Sequence, residues 1–249
     1  MRGEVFELIA LSLRSDREKV CFSAGKLRKT LQSNIALQFN YFSSGNRLET
    51  LMTPATIAKP GKESPLLFEG LTWREFKAVE QLLDRPGYRL SFLDGVLEIR
   101  RMPGEPHETV KKRIAALVEL YLLIAGFDFT PTGSMTLESE AGAVKREADE
   151  SYKLAPGRVR PDLAIEVVFT SGGIDKLEAY KRLKIKEVWF WEDGVLEVYH
   201  LRGEGNALNY EKLSISEEVK GIDLDLLLRC INMVNHVDAI KTFQQAVVK

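Results

Sequence analysis

Glu166 stands inside Arg160-Pro161-Asp162-Leu163-Ala164-Ile165-Glu166-Val167-Val168, a run that otherwise reads as a buried strand. A carboxylate in such a strand is costly unless a cation offsets it. A basic side chain or a metal ion can do so. Lys176 opens the following helix, in Asp175-Lys176-Leu177, and is a candidate for the first role. Asp149, on the preceding segment, is a candidate to complete a site for the second. Two carboxylates and a lysine are what metal-assisted phosphodiester cleavage uses. The acids hold Mg²⁺ and leave water positions open, and the bound ion makes a water nucleophilic. The lysine stabilises charge on the phosphoryl oxygens or orients the water.

Strand geometry limits which acids converge. Asp162 and Glu166 share a strand face but lie about 13 Å apart along it, too far for one ion. Asp162 is therefore expected at the strand mouth. Asp149 can lie beside Glu166 across the sheet. Val168 shares the face of Glu166 two residues on, where a Glu-x-Lys arrangement would put its lysine. Valine cannot serve there, and Lys176 is placed to reach the same point from the helix.

The elements that must position these groups are legible in order. Thr72, with Glu75 three residues later, reads as the capping box of a helix ending near Leu83. Tyr88–Leu93 and Val96–Arg101 flank Asp94-Gly95, a two-residue hairpin signal. His107–Ile124 carries apolar residues at helical spacing (Val110, Ile114, Leu117, Val118, Tyr121). Strands are expected over Gly133–Glu138, Ala148–Leu154 and Asp162–Thr170, then a helix over Ile174–Leu183. Strands over Glu187–Trp191, Val195–Leu201 and Ala207–Ser214 follow, and helices over Asp223–Cys230 and Val237–Val247 end the chain. The order from residue 107 is α-β-β-β-α-β with strand additions: an α/β (α+β) core whose mixed central sheet is flanked by helices. A hairpin precedes this core and helices follow it.

Residues 1–51 are rich in Ser, Lys and Arg with weak periodicity, and Thr53–Pro65 reads as a Pro/Gly/Lys linker. The main domain is expected over 66–249, with 1–65 as a poorly ordered extension; a chain starting at Met52 would look complete. The formal net charge is −1, so a nucleic-acid face would have to be a local basic patch. Arg100, Arg101, Lys111, Lys112 and Arg113 are the candidates. Cys21 and Cys230 give neither a disulfide framework nor zinc spacing. The apolar stretch Val5–Leu13 carries Glu7 and no small-residue cleavage site, and no run has the length of a membrane span. The expected location is cytoplasmic.

The chain resembles the Uma-two family of restriction-endonuclease-like proteins, a branch of the PD-(D/E)xK nuclease superfamily. The matching residues are Asp94-Gly95-Val96-Leu97-Glu98-Ile99, Pro106-His107-Glu108, Gly133-Ser134-Met135-Thr136 and Glu147-Ala148-Asp149-Glu150-Ser151-Tyr152. Pro161 to Val167, Lys176-Leu177-Glu178-Ala179-Tyr180 and Lys186-Glu187-Val188-Trp189 complete the pattern over about residues 66–249. The resemblance implies a restriction-endonuclease-like core and a Mg²⁺-dependent endonuclease acting on DNA, with Mn²⁺ as a substitute ion. It implies the acidic pair Asp149 and Glu166, with the lysine supplied from the helix as Lys176. Cleavage of two strands by such enzymes often involves a homodimer. Ala148 departs from the proline that usually precedes the first aspartate, and the charged stretch from Val144 to Arg160 reads as an irregular loop.

Each residue also has an ordinary structural reading. Glu166 and Lys176 can form a structural ion pair, and Asp149 can be a solvated acid at a strand start. Glu108 can add a carboxylate to the metal site or simply favour the helix N-terminus. His107 reads as a polar residue of the N-cap region. The competing function is a non-catalytic nucleic-acid- or protein-binding module on the same fold. A phosphate-loop enzyme is disfavoured, because Thr170-Ser171-Gly172-Gly173 lacks the lysine spacing of a P-loop.

Overall fold

The computed structural model describes residues 65–83, 87–169 and 173–248. Of the extension and linker expected over residues 1–65, all but Pro65 lie outside the described residues. So do Asp84-Arg85-Pro86 and Thr170-Ser171-Gly172.

Two sheets make up the core. The first has five strands in the order β1-β3-β2-β6-β5, all antiparallel. They are β1 (Leu66–Phe68), β2 (Tyr88–Leu93), β3 (Val96–Arg101), β5 (Thr136–Ser139) and β6 (Val144–Glu147). The second has six strands in the order β11-β10-β9-β8-β7-β4. They are β4 (Thr130–Pro131), β7 (Glu150–Lys153), β8 (Leu163–Val168), β9 (Glu187–Glu192), β10 (Val195–Arg202) and β11 (Asn209–Leu213). Only β8 and β9 pair in parallel, so this sheet is mixed. The helices are α1 (Trp73–Leu82), α2 (Glu105–Ile124), α3 (Lys176–Leu183), α4 (Leu224–Ile231) and α5 (His236–Val247).

Local chemistry explains most of these boundaries. Thr72 accepts from the Glu75 amide while the Glu75 carboxylate accepts from the Thr72 amide, so the capping box forms and starts α1. Both hairpin turns, Asp94-Gly95 and Asp193-Gly194, have positive φ at each central residue (49° and 86°; 46° and 85°). That is the type I′ geometry whose twist matches the flanking strands. Helix α2 starts at Glu105, two residues before the expected His107, because Pro106 lies in the first turn where its missing N–H costs nothing.

Strand β8 is buried on both faces, which accounts for its near-continuous apolar run. Leu163, Ile165 and Val167 pack with Ile114, Leu117 and Leu122 of α2, Trp189, and Leu227 and Phe243 of α4 and α5. Ala164, on the opposite face, packs with Ala179, Tyr180 and Leu183 of α3 and with Leu137 and Val144 of the first sheet. Glu166 lies on this second face, so it points into the layer between the two sheets.

The region before β8 differs from the expected order. Val144–Glu147 is strand β6, not irregular loop, and the strand expected from Ala148 begins at Glu150. The chain leaves the first sheet at Glu147 and enters the second at Glu150, with Ala148-Asp149 as the corner. Strand β6 was hidden because one of its two inward residues is charged: Val144 and Arg146 are buried while Lys145 and Glu147 are half-buried. The N-terminal hairpin, β2 and β3, lies within the first sheet.

Arg113 also needs correction, because it is not available to nucleic acid. It is 7% exposed, and its guanidinium donates to the carbonyls of Ile231 (2.9 Å), the last residue of α4, and of Met233 and Val234 (3.2 Å) beyond it. A cation there satisfies carbonyls that helix geometry leaves unpaired and complements the helix dipole. Arg113→Met should therefore destabilise the fold by about 3 kcal/mol. Denaturant unfolding checks this, and an unchanged midpoint would contradict the capping role.

Candidate active site

The β7–β8 ladder sets the two acids against each other. Its register pairs Tyr152 with Leu163, Ser151 with Ala164 and Glu150 with Ile165. One step further places Asp149 opposite Glu166. The Asp149 amide still donates to the Ile165 carbonyl (3.2 Å), and the Val167 amide donates to Asp149 Oδ2 (2.8 Å). The corner after β6 thus holds the Asp149 carboxylate on the backbone of β8. Asp149 and Glu166 are 2% and 1% exposed, so each must find partners inside.

Glu166 draws partners from two elements. Arg146 of β6 forks onto it, Nε to Oε1 at 3.0 Å and Nη2 to Oε2 at 2.8 Å. From α3, Lys176 Nζ donates to Oε2 at 2.9 Å and the Tyr180 hydroxyl donates to Oε1. Lys176 and Tyr180 are four apart, on one helix face. Asp175 caps α3 by accepting from the Glu178 amide at 3.0 Å, which fixes Lys176 in the first turn. A cation at a helix N-terminus opposes the helix dipole, so the contact with Glu166 must outweigh it.

Asp149 is held by Arg89 of β2 (Nη1 to Oδ1, 2.6 Å) and by His107 Nε2 (3.2 Å to Oδ2). The other ring nitrogen of His107 faces Glu108 Oε1 at 3.2 Å, and the ring packs against Phe169. The N-cap of α2 is Gly104, and His107, in the first turn, bridges two carboxylates. Glu108 therefore joins the cluster through His107. Arg89 also pairs with Glu147 at 3.0 Å. Nearby, Glu98 of β3 accepts from Arg100 (2.8 Å) and from the Ile174 amide (2.9 Å).

Asp162 sits at the other end of β8, where it accepts from the Leu154 amide (2.9 Å) and pairs with Lys186 (2.8 Å) and Arg158 (3.2 Å). Val168 is buried on the face of Glu166. Among the expected basic contacts, Lys111 is buried on Ser134 (3.1 Å) and Glu108 (3.3 Å), and Arg100 is forked on Glu98. Arg101 is exposed, and the Lys112 side chain is 68% exposed beside Glu150. That Arg146, Arg89, His107 and Tyr180 hold the two acids was not read from the sequence. The Lys176/Tyr180 spacing and the strand alternation of Val144 with Arg146 were the available signals.

Burial raises the cost of charge on both acids, yet both are held low. For Asp149, the His107 hydrogen bond and the Arg89 charge outweigh burial and hold the carboxyl well below its usual range. For Glu166, burial and the neighbouring Asp149 push upward, while the Arg146 and Lys176 charges bring the net shift downward.

The donor set suits Mg²⁺ in kind, since that ion takes one or two carboxylates and keeps several waters. Among the described residues, no three His, Cys, Asp or Glu side chains form a ready-made cage. A carboxylate offers about four lone-pair positions. On Glu166, Arg146, Lys176 and Tyr180 take them all. On Asp149 one position of Oδ1 remains open.

The depressed acids make stability depend on pH with a definite sign. Their contribution is complete above the ordinary carboxylate range of about 4 and is lost as pH falls through the lower folded values. Thermal melts should hold steady from neutrality to about pH 5 and decline below about pH 4. Glu166→Gln should lose less on acidification than the parent. Equal losses would show that this pair does not govern acid stability.

Residues 73–233 match the family model described as "Uma2: Putative restriction endonuclease". No curated protein matches the chain. A solved structure described as "a putative nuclease belonging to DUF820 from Anabaena variabilis" is 13% identical, with a TM-score of 0.43. The alignment covers 70% of this chain and 99% of that one. The family match spans well over half of the chain and takes in the corner, both acids and the lysine: the chain belongs to the Uma2 family of restriction-endonuclease-like proteins.

Proposed function

We propose that this protein is a Mg²⁺-dependent endonuclease that hydrolyses DNA phosphodiester bonds, with Asp149 and Glu166 holding the ion and Lys176 acting on the phosphate. The observation that carries the reading is the register that sets Asp149 opposite Glu166, with the Lys176 ammonium on Glu166. When bound, Mg²⁺ would lower the pKa of a water and neutralise charge on a phosphoryl oxygen. The chain supplies the rest. Lys176 has three donors and spends one on Glu166, leaving two for a phosphoryl oxygen or the attacking water. The water oxygen bonds to phosphorus as the bond to the leaving oxygen breaks, and the leaving strand takes up a proton. His107 and Arg89 fix Asp149 in place. Arg101 and Lys112, exposed before and along α2, are the basic groups placed to meet backbone phosphates. A homodimer would give a duplex one site per strand.

One observation favours the second reading, a non-catalytic binding module: protein donors already fill the oxygens of Glu166. A plasmid-nicking assay with Mg²⁺ and with Mn²⁺ separates the two. The parent should nick, and Lys176→Ala should nick roughly a hundredfold more slowly or worse while keeping its melting temperature. Metal-independent nicking, or equal rates in parent and Lys176→Ala, would contradict the assignment. DNA binding without nicking would favour the module.

A further inference from the structure

We infer that Arg146 is the resident cation of this site, which Glu166 must release before a divalent metal can bind it. The inference rests on the metal-dependent reading above and goes beyond it by naming the residue that sets metal affinity. Three groups hold Glu166, but they do not compete with a metal equally. Tyr180 is neutral and meets one oxygen. Lys176 is a point charge on one oxygen. Arg146 alone meets both, in the parallel fork that matches carboxylate geometry. Its side chain is 5% exposed, so water screens it little. A divalent ion on Glu166 would face this charge at close range and would need the positions that the fork occupies.

Arg146 also has somewhere to go. Its Nη1 lies 3.9 Å from Glu98 Oε1 and 3.5 Å from the Ser91 hydroxyl. Glu98 is buried, and its Oε1 accepts from Arg100 Nε, which leaves that oxygen a further lone pair. The backbone closes over this pair at Gly173, whose φ is +102°; a Cβ there would stand 1.8 Å from Glu98 Oε2. A side chain there would displace the Glu98 carboxylate and strain the backbone, so glycine keeps the Glu98 seat at the approach to α3. A short swing from Glu166 to Glu98 keeps the guanidinium paired and buried. Without metal, the fork keeps the site neutralised and the acid layer stable. With metal, the guanidinium moves aside.

Calorimetric titration of Mn²⁺ into the full-length protein tests this, using the parent, Arg146→Met, Arg146→Lys and the double variant Arg146→Met/Glu166→Gln. Arg146→Met should bind roughly tenfold to a hundredfold more tightly than the parent, as expected for losing a charge-assisted competitor. Arg146→Lys, which cannot form the fork, should fall between them, and it keeps the test alive if Arg146→Met folds poorly. The double variant should lose the gain, showing that it runs through Glu166. Melting supplies a second readout: ion-free Arg146→Met should melt below the parent and recover more on adding Mn²⁺. Equal affinity across the parent and both single variants would overturn the inference and leave the nuclease reading standing. No binding by any of them would overturn both.

Discussion

A carboxylate in the middle of a strand buried on both faces has to be neutralised where it stands, and Glu166 recruits its partners from both sides of the layer it faces. Arg146 comes from the first sheet; Lys176 and Tyr180 come from the helix that follows the strand. Removing either side of the Glu166–Arg146 fork would leave a buried charge unpaired, which makes that pair cooperative with the fold. The pairing therefore does two things. It ties β6 and α3 to β8, and it fixes the charged groups of the candidate site against one another.

The second constraint is the corner at Ala148-Asp149. A single continuous strand there could not serve two sheets. Splitting it lets β6 deliver Arg146 from one sheet while the corner sets Asp149 at the start of β7 in the other. Ala148 is fully buried, so the turn is tightly packed on its apolar side and leaves Asp149 to be held by Arg89, His107 and the Val167 amide. Catalytic geometry of the kind proposed here needs rigid supports, and the corner is held by side chains from β2 and α2 and by the backbone of β8.

What the sequence disclosed follows from how locally each feature is encoded. Asp-Gly turns and the Thr72/Glu75 capping box depend on neighbours in the chain and were readable. The Asp149–Glu166 register was legible because both lie beside one strand pair. Strand β6 was not, because its inward Arg146 looks like a solvated residue until Glu166 is placed opposite it. Arg113 sits in a Lys-Lys-Arg triplet that reads as one basic face, yet helical rotation turns it inward onto carbonyls of the α4–α5 connection. His107 was likewise opaque, since its two carboxylate partners are separated by forty-one residues in sequence.

Diffraction from crystals soaked in Mn²⁺, recorded for anomalous scattering, tests the central claim most directly. One Mn²⁺ should appear at the Asp149 and Glu166 carboxylates, with the Arg146 guanidinium turned toward Glu98. Saturating Mn²⁺ with no peak at these carboxylates, and Arg146 still forked on Glu166, would contradict it.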